Sequence, residues 1–123
     1  MTAGSWAAGL DMSWHADRGY AVAVLRGPLD AVAAPALREW LLRLVNESAG
    51  RLIIDLSAVT HADITGLAVL VGTGRRATLL GGMLRLAAPV AAVSGMLSAV
   101  GLGRQMHIYH SVEAAISGIA WAR

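Results

Sequence analysis

Residues capable of chemistry are concentrated in one stretch, Asp55–Leu67, which reads DLSAVTHADITGL. It combines carboxylates, hydroxyls and the imidazole of His61 in a polar cluster at a predicted helix start after a buried strand, which is where open α/β sheets tend to carry their sites. Asp63 and Thr65 are also typical N-cap residues, because a short side-chain oxygen can accept hydrogen bonds from the free N–H groups of a first helical turn. On spacing alone, capping is the simpler interpretation of this stretch.

Other catalytic and metal-binding patterns are missing from the sequence. The chain has no Cys, which excludes disulfides, thiolate metal sites and Cys nucleophiles. It has no G-x-S-x-G elbow, and its eight acidic residues form no evident acid–base pair. His107 and His110 are three residues apart on a predicted strand, so their side chains should point to opposite faces. We therefore expect no enzymatic activity, no metal site and no cofactor.

One glycine pattern is similar to that of dinucleotide-binding sites. Gly72–Ala77 fits G-x-G-x-x-A and follows an apolar run, as in dinucleotide-binding folds. Such a site needs an acidic residue about 20 positions later for the ribose, but no Asp or Glu occurs between Asp63 and Glu113. Glycines within a closely packed helix are the favoured interpretation.

Composition narrows the class further. The chain has 123 residues, the size of one domain, and a formal net charge of +2. Its basic residues are all Arg and are scattered except for Arg75–Arg76, so direct nucleic-acid binding has little support. The longest apolar run, Ile64–Gly72, is shorter than the roughly 20 residues that span a bilayer. The N-terminus lacks the features of a signal peptide. We expect a cytoplasmic protein without membrane insertion.

The predicted elements are two strands followed by alternating helices and strands. Strands are predicted at 11–16, 20–26, 52–56, 83–87 and 106–109. Helices are predicted to begin near Pro35, at Asp63–Thr65, near Pro89 and after Ser111. Repeated βα units indicate an α/β fold with a mostly parallel sheet of about five strands, an antiparallel N-terminal edge hairpin and about four helices. Residues 1–10 are predicted to be a flexible arm, and residues 11–123 a single domain.

The central stretch resembles the core motif of the STAS domain family of bacterial anti-sigma factor antagonists. Their pattern is roughly D-L-S-x-V-x-x-x-D-S-S-G-L, against DLSAVTHADITGL here. The earlier GPLD at Gly27–Asp30 resembles a second family element, G-x-L-D, and the likeness extends from about Trp14 to Gly118. The resemblance implies a compact STAS fold.

The resemblance also implies a function in partner switching. In this family the loop at the position of Asp63–Gly66 binds an anti-sigma factor that is also a serine/threonine kinase. The kinase phosphorylates a hydroxyl residue directly after the Asp that corresponds to Asp63. The unphosphorylated antagonist captures the anti-sigma factor and frees the sigma factor, and a phosphatase resets the system. Carried over residue by residue, the implied partner-binding residues are Asp30, His61, Asp63, Ile64, Thr65, Gly66 and Leu67.

The sequence departs from the family pattern at the phosphate acceptor. Ile64 occupies the usual acceptor position and has no hydroxyl, whereas Thr65 stands at the second Ser position. Three hypotheses stay open: Thr65 is the acceptor in a shifted register, the protein binds its partner constitutively, or it is an accessory subunit of a lipid or anion transporter. The high apolar content also leaves room for a homodimer interface.

Overall fold

The structure, a computed structural model, describes residues 2–101 and 106–118. Its strands are β1 Thr2–Ala7, β2 Leu10–Asp17, β3 Tyr20–Leu29, β4 Arg51–Ala62, β5 Met83–Ala87 and β6 His107–Tyr109. Its helices are α1 Ala34–Glu47, α2 Ile64–Leu79, α3 Ala91–Ala99 and α4 Val112–Ser117. No helix in the described ranges is both long and apolar enough to cross a membrane.

One mixed sheet carries all of these strands, and their spatial order is the chain order. The pairs β1–β2 and β2–β3 are antiparallel, whereas β3 to β6 are joined by parallel pairs. Each parallel step is bridged by a helix, as parallel neighbours require. The predicted α/β class, with an antiparallel N-terminal hairpin on a mostly parallel sheet, is therefore confirmed.

The N-terminal residues differ from the prediction of a flexible arm. Thr2–Ala7 forms an edge strand that pairs with β2, from Thr2 opposite His15 to Ala7 opposite Leu10. A two-residue turn joins the strands, and both Ala8 (φ 52°) and Gly9 (φ 83°) adopt the positive φ that such tight hairpins favour. Backbone pairing needs no apolar alternation at a sheet edge, so this small-residue segment left no pattern in the sequence.

Two cores of unequal size cover the two faces of the sheet. Strand β4 shows why, because Leu52 and Ile54 pack in the larger core, and Ile53 between them packs in the smaller one. Successive side chains of a strand point to opposite faces, and a parallel strand covered on both faces is continuously apolar. Helices α1, α2 and α3 contribute to the larger core, and α4 supplies Ala114 and Ala115 to the smaller one.

Strand β4 is longer than the predicted 52–56. The polar stretch 57–62 stays extended and pairs with the end of β3, where Pro28 lies opposite His61. Register shifts after Val24 and Gly27 accommodate this extension. Exposed polar side chains interrupt the apolar pattern without ending the strand, which is why the sequence suggested a loop. The extension brings the ends of β3 and β4 together.

The buried residues in the second half of helix α2 are Thr73 and Ala77. The Thr73 hydroxyl donates to the Val69 carbonyl at 2.8 Å, which satisfies this polar group inside the core. The G-x-G-x-x-A pattern thus lies within one continuous helix and lacks the strand–turn–helix geometry of a dinucleotide site.

Candidate functional site

Asp63 lies at the junction of β4 and α2 and caps the helix. Its backbone is extended, its Oδ1 accepts from the Gly66 N–H at 2.8 Å, and its carbonyl accepts from the Leu67 N–H at 3.0 Å. The side-chain bond satisfies an N–H group of the first turn that has no partner within the helix, and the bond from Leu67 is the first of the regular helical hydrogen bonds. The capping role predicted for Asp63 is confirmed.

The same residue also binds the loop between β3 and α1. The Asp63 Oδ2 accepts from the Ala31 N–H at 2.9 Å, and the Asp63 N–H donates to the Leu29 carbonyl at 3.1 Å. One carboxylate therefore joins two segments about 30 residues apart in the sequence. We call residues 30–33 and 63–66 together the loop surface.

Asp30 shapes the other half of the loop surface. Its Oδ1 accepts from the N–H groups of Val32 and Ala33, both at 3.1 Å, and its carbonyl accepts from the Ala34 N–H at 2.9 Å. An Asp that binds amides two and three residues ahead forms an Asx-type turn. Asp30 thus holds the turn that leads into α1, while its side chain stays partly exposed.

Gly66 permits the two halves to approach closely. A Cβ at this position would overlap the Leu29 carbonyl oxygen, which belongs to the end of β3. Gly66 itself is buried. Gly66 therefore matters because it has no side chain, which lets α2 pack against the end of β3. We assign it no direct contact with a partner.

Two apolar side chains of the loop surface are open to solvent. Ile64 is 62% exposed and Val32 is 75% exposed. They directly follow Asp63 and Ala31, the residues that the Asp63–Ala31 hydrogen bond joins. Val32 was missed from the sequence. The signal that could have found it is Asp30, because an Asx turn leaves its central residues facing outwards.

The remaining predicted residues fall in different environments. Thr65 is exposed in the first turn of α2, and its hydroxyl makes no hydrogen bond to the described residues. His61 is also exposed, but it lies on strand β4 rather than in a loop, with its Nδ1 3.3 Å from the Thr60 hydroxyl. Leu67 is only 1% exposed. The helical turn directs Leu67 into the core with Leu70, which is the simpler interpretation of its place in the sequence, so its side chain presents no exposed surface to a partner.

Hydrogen bonding makes the Asp63 carboxylate a persistent negative charge. The Gly66 N–H is the strongest influence lowering the pKa of Asp63 below its ordinary value of 3.8. The N–H groups of Ala31 and Thr65 and the nearby His61 act in the same direction, while partial burial opposes them. Donors that bind the ionised form favour it, so the loop surface carries this charge at neutral pH.

This pKa shift predicts how stability depends on pH. Because the pKa of Asp63 is lower in the folded state, the unfolded chain binds more protons in acid. The stabilisation is therefore present above the ordinary pKa of 3.8 and is lost as pH falls through the lower folded value. We expect Asp63→Asn to be less stable than the wild type at about pH 7, and the gap to narrow towards about pH 3. Urea unfolding of both proteins across this range checks the prediction, and a gap independent of pH contradicts it.

Within residues 2–101 and 106–118, no group of three or more His, Asp or Glu side chains lies close enough to hold a metal ion. The loop surface consists of capped turns, the hydrogen-bonded carboxylates of Asp30 and Asp63, the exposed hydroxyl of Thr65 and two exposed apolar side chains. Such a surface is suited to binding another protein.

Fold and site together define a small α/β domain whose candidate binding surface lies where the parallel strands β3 and β4 end. The family model of the STAS domain matches residues 15–115, which is most of the chain. The chain therefore belongs to the STAS domain family, and the resemblance seen in its sequence is confirmed.

Individual relatives agree with this assignment. The chain is 42% identical over 62 residues to the anti-sigma-B factor antagonist of Bacillus subtilis (strain 168), a match that covers 50% of this chain and 56% of that protein. The match thus spans little more than half the length of this curated relative.

Solved structures share the fold. An anti-sigma factor antagonist from Mycobacterium paratuberculosis is 26% identical, with a TM-score of 0.81 over 89% of this chain and 93% of that one. The murine anion transporter Solute Carrier 26 family member A9 is 19% identical, with a TM-score of 0.72 over 85% of this chain and 18% of that one. At that identity, the likeness to the transporter shows the fold alone.

Proposed function

We propose that this STAS domain is an anti-sigma factor antagonist that acts by binding rather than catalysis, in the bacterial cytoplasm. It captures an anti-sigma factor of the serine/threonine kinase type and so releases a sigma factor. The 42% identity to the anti-sigma-B factor antagonist supports this function over that of a transporter subunit, because the transporter likeness is one of fold only.

The observation that carries the proposal is the joining of two loops through Asp63. Its carboxylate holds the Ala31 N–H and the Gly66 N–H at once, so both loops are ordered before a partner arrives. A preordered surface loses little conformational entropy on binding. The exposed Val32 and Ile64 supply apolar area to the centre of the interface, and Asp30, His61 and Asp63 supply polar contacts around it.

Thr65 is the residue through which phosphorylation would control this interface. It lies in the first turn of α2 with an exposed hydroxyl, one residue after the family's acceptor position. A phosphate adds roughly −1.5 to −2 charge at neutral pH, and the free N–H groups of a helix N-terminus tolerate it. The fold is therefore preserved. Binding fails because the phosphate and Asp63 would both have to lose water against the partner, and a phosphatase restores binding.

A substitution at Ile64 tests the surface. We expect Ile64→Asp to raise the dissociation constant for the anti-sigma factor encoded nearest to this gene by about 30-fold or more, since a central apolar contact becomes a buried charge. The matched control is Leu79→Asp, which places the same charge on a 79% exposed side chain at the other end of α2. Isothermal titration calorimetry measures both. Equal affinities of Ile64→Asp and Leu79→Asp for the anti-sigma factor would show that the loop surface is not part of the interface.

A further inference from the structure

A second site lies at the other end of the sheet from the loop surface. Strands β3, β4 and β5 begin there, and a cavity of about 280 Å³ opens between Tyr20, Arg51 and Arg85. The glycines that follow α2, Gly81 and Gly82, form part of its wall. Register places Tyr20, Arg51 and Arg85 on the face of the sheet that α4 covers, since they alternate with the strand residues of the larger core. We call this site the arginine pocket.

One aromatic ring brings the two cations together. The guanidinium carbon of Arg51 lies 4.6 Å from the centroid of the Tyr20 ring, and that of Arg85 lies 5.2 Å from the same centroid. Arg85 also lies 5.6 Å from the centroid of the Tyr109 ring. These distances are typical of cation–π contacts, which fix the position of a cation without neutralising its charge.

Most of the hydrogen-bond donors of the pair are uncommitted. The Arg51 Nε donates to the Gly19 carbonyl at 2.8 Å, and the Arg85 Nη1 donates to the Ala115 carbonyl. An Arg side chain has five N–H donors, and within the described residues neither guanidinium donates to any other group. The Nε of Arg85 is buried and has no hydrogen-bond partner among residues 2–101 and 106–118. A buried N–H donor without a hydrogen-bond partner lowers the stability of the folded state. The unpaired Nε of Arg85 therefore calls for an explanation.

Within the part of the chain that the structure describes, no carboxylate pairs with the two arginines of the pocket. Two carboxylates on neighbouring elements, Asp17 and Glu113, are engaged by Arg18 at 2.9 Å and 2.7 Å. Among the described residues, neither Arg51 nor Arg85 has an ion-pair partner. The C-terminal end of α2 contributes a partial negative charge of about half an elementary charge, which offsets only part of two full positive charges. The site therefore favours an anion.

We propose that the arginine pocket binds a phosphate group, either as free phosphate or as the ester of a small metabolite. Guanidinium groups present paired N–H donors that match phosphate oxygens, and two of them side by side can hold one such group. The pocket is separate from the loop surface, so this site is independent of the proposed partner binding.

Titration with two probes tests the site. Inorganic phosphate and phenyl phosphate are titrated at constant ionic strength, with chloride as the reference salt, and backbone amide shifts are followed by NMR. We expect saturable shifts at residues 19–20, 51 and 81–85 rather than at the loop surface. Tighter binding of phenyl phosphate assigns the site to a phosphate ester, and equal or tighter binding of inorganic phosphate assigns it to the free ion. Absence of saturable shifts with both probes overturns the proposal.

Substitutions test whether the two arginines of the pocket bind the phosphate. Arg51→Met should weaken phosphate binding at least about tenfold, since one charge-assisted donor pair is lost. Arg38→Met, at an exposed position on α1, removes the same charge and should leave the affinity within about twofold. Arg85→Met removes the second donor set, but it also removes the contact with α4, so exposed Arg51 is the decisive position. Equal affinities for Arg51→Met and Arg38→Met would show that the binding is non-specific and would overturn the proposal.

Discussion

Thr65→Asp is expected to weaken binding of the anti-sigma factor by about 30-fold to several thousand-fold, which corresponds to about 2–5 kcal/mol. The added carboxylate would lie beside Asp63, whose charge persists because the backbone N–H groups of Gly66 and Ala31 bind its carboxylate. Two neighbouring carboxylates within an interface must lose water together, and each repels the other. Calorimetric titration with the partner measures the loss.

Controls separate this effect from unfolding. Thr65→Asp should keep its unfolding midpoint, because a negative charge suits the first turn of a helix. Thr65→Ala should bind normally and resist switching by ATP and the kinase. Intact mass followed by fragmentation should then place one phosphate of the wild type on Thr65, since Ile64 has no hydroxyl. Wild-type affinity of Thr65→Asp would exclude Thr65 as the switch and leave constitutive binding as the explanation.

Gly66→Ala is expected to lower the free energy of unfolding by about 2–3 kcal/mol. The added Cβ would overlap the Leu29 carbonyl oxygen, and the displaced group is backbone rather than a movable side chain. Either β3 or α2 has to shift, which breaks the approach that lets Asp63 bind both loops. Urea unfolding measures the stability change, and the affinity for the anti-sigma factor should fall with it.

The matched control lies six residues further along α2. A Cβ at Gly72 meets no atom within 4 Å, so Gly72→Ala carries only the helix-propensity gain. That gain should raise the free energy of unfolding by about 0.5–1 kcal/mol. If the free energy of unfolding falls for Gly66→Ala and rises for Gly72→Ala, the difference comes from the contact with Leu29. If Gly66→Ala is as stable as the wild type, the two loops do not pack as closely as in the structure.

Local signals explain what could be predicted from the sequence. Helix starts were visible because caps act within three residues: Asp63 binds the Gly66 N–H, and Ser111 binds the Ala114 N–H at 3.0 Å as expected. Strand β5 was predicted with its observed bounds, Met83–Ala87, because it is a short apolar run between turns. The alternation of these elements was enough to indicate the mostly parallel sheet.

Long-range pairing explains what could not be predicted. The bond from the Ala31 N–H to Asp63 joins residues far apart in the chain, so the role of Asp63 in holding the β3–α1 loop has no local pattern. The arginine pocket likewise needs Tyr20, Arg51 and Arg85 from three strands, which in the sequence are scattered single residues. Only the register of the sheet brings such residues together.

Release of a sigma factor tests the central claim most directly. The anti-sigma factor encoded nearest to this gene is loaded with a fluorescently labelled sigma factor, and the unphosphorylated chain is added while anisotropy is followed. We predict that the wild type displaces the sigma factor at close to equimolar concentration, whereas Ile64→Asp leaves it bound. Failure of the wild type to form a complex or to displace the sigma factor would contradict the account of this STAS domain as an anti-sigma factor antagonist.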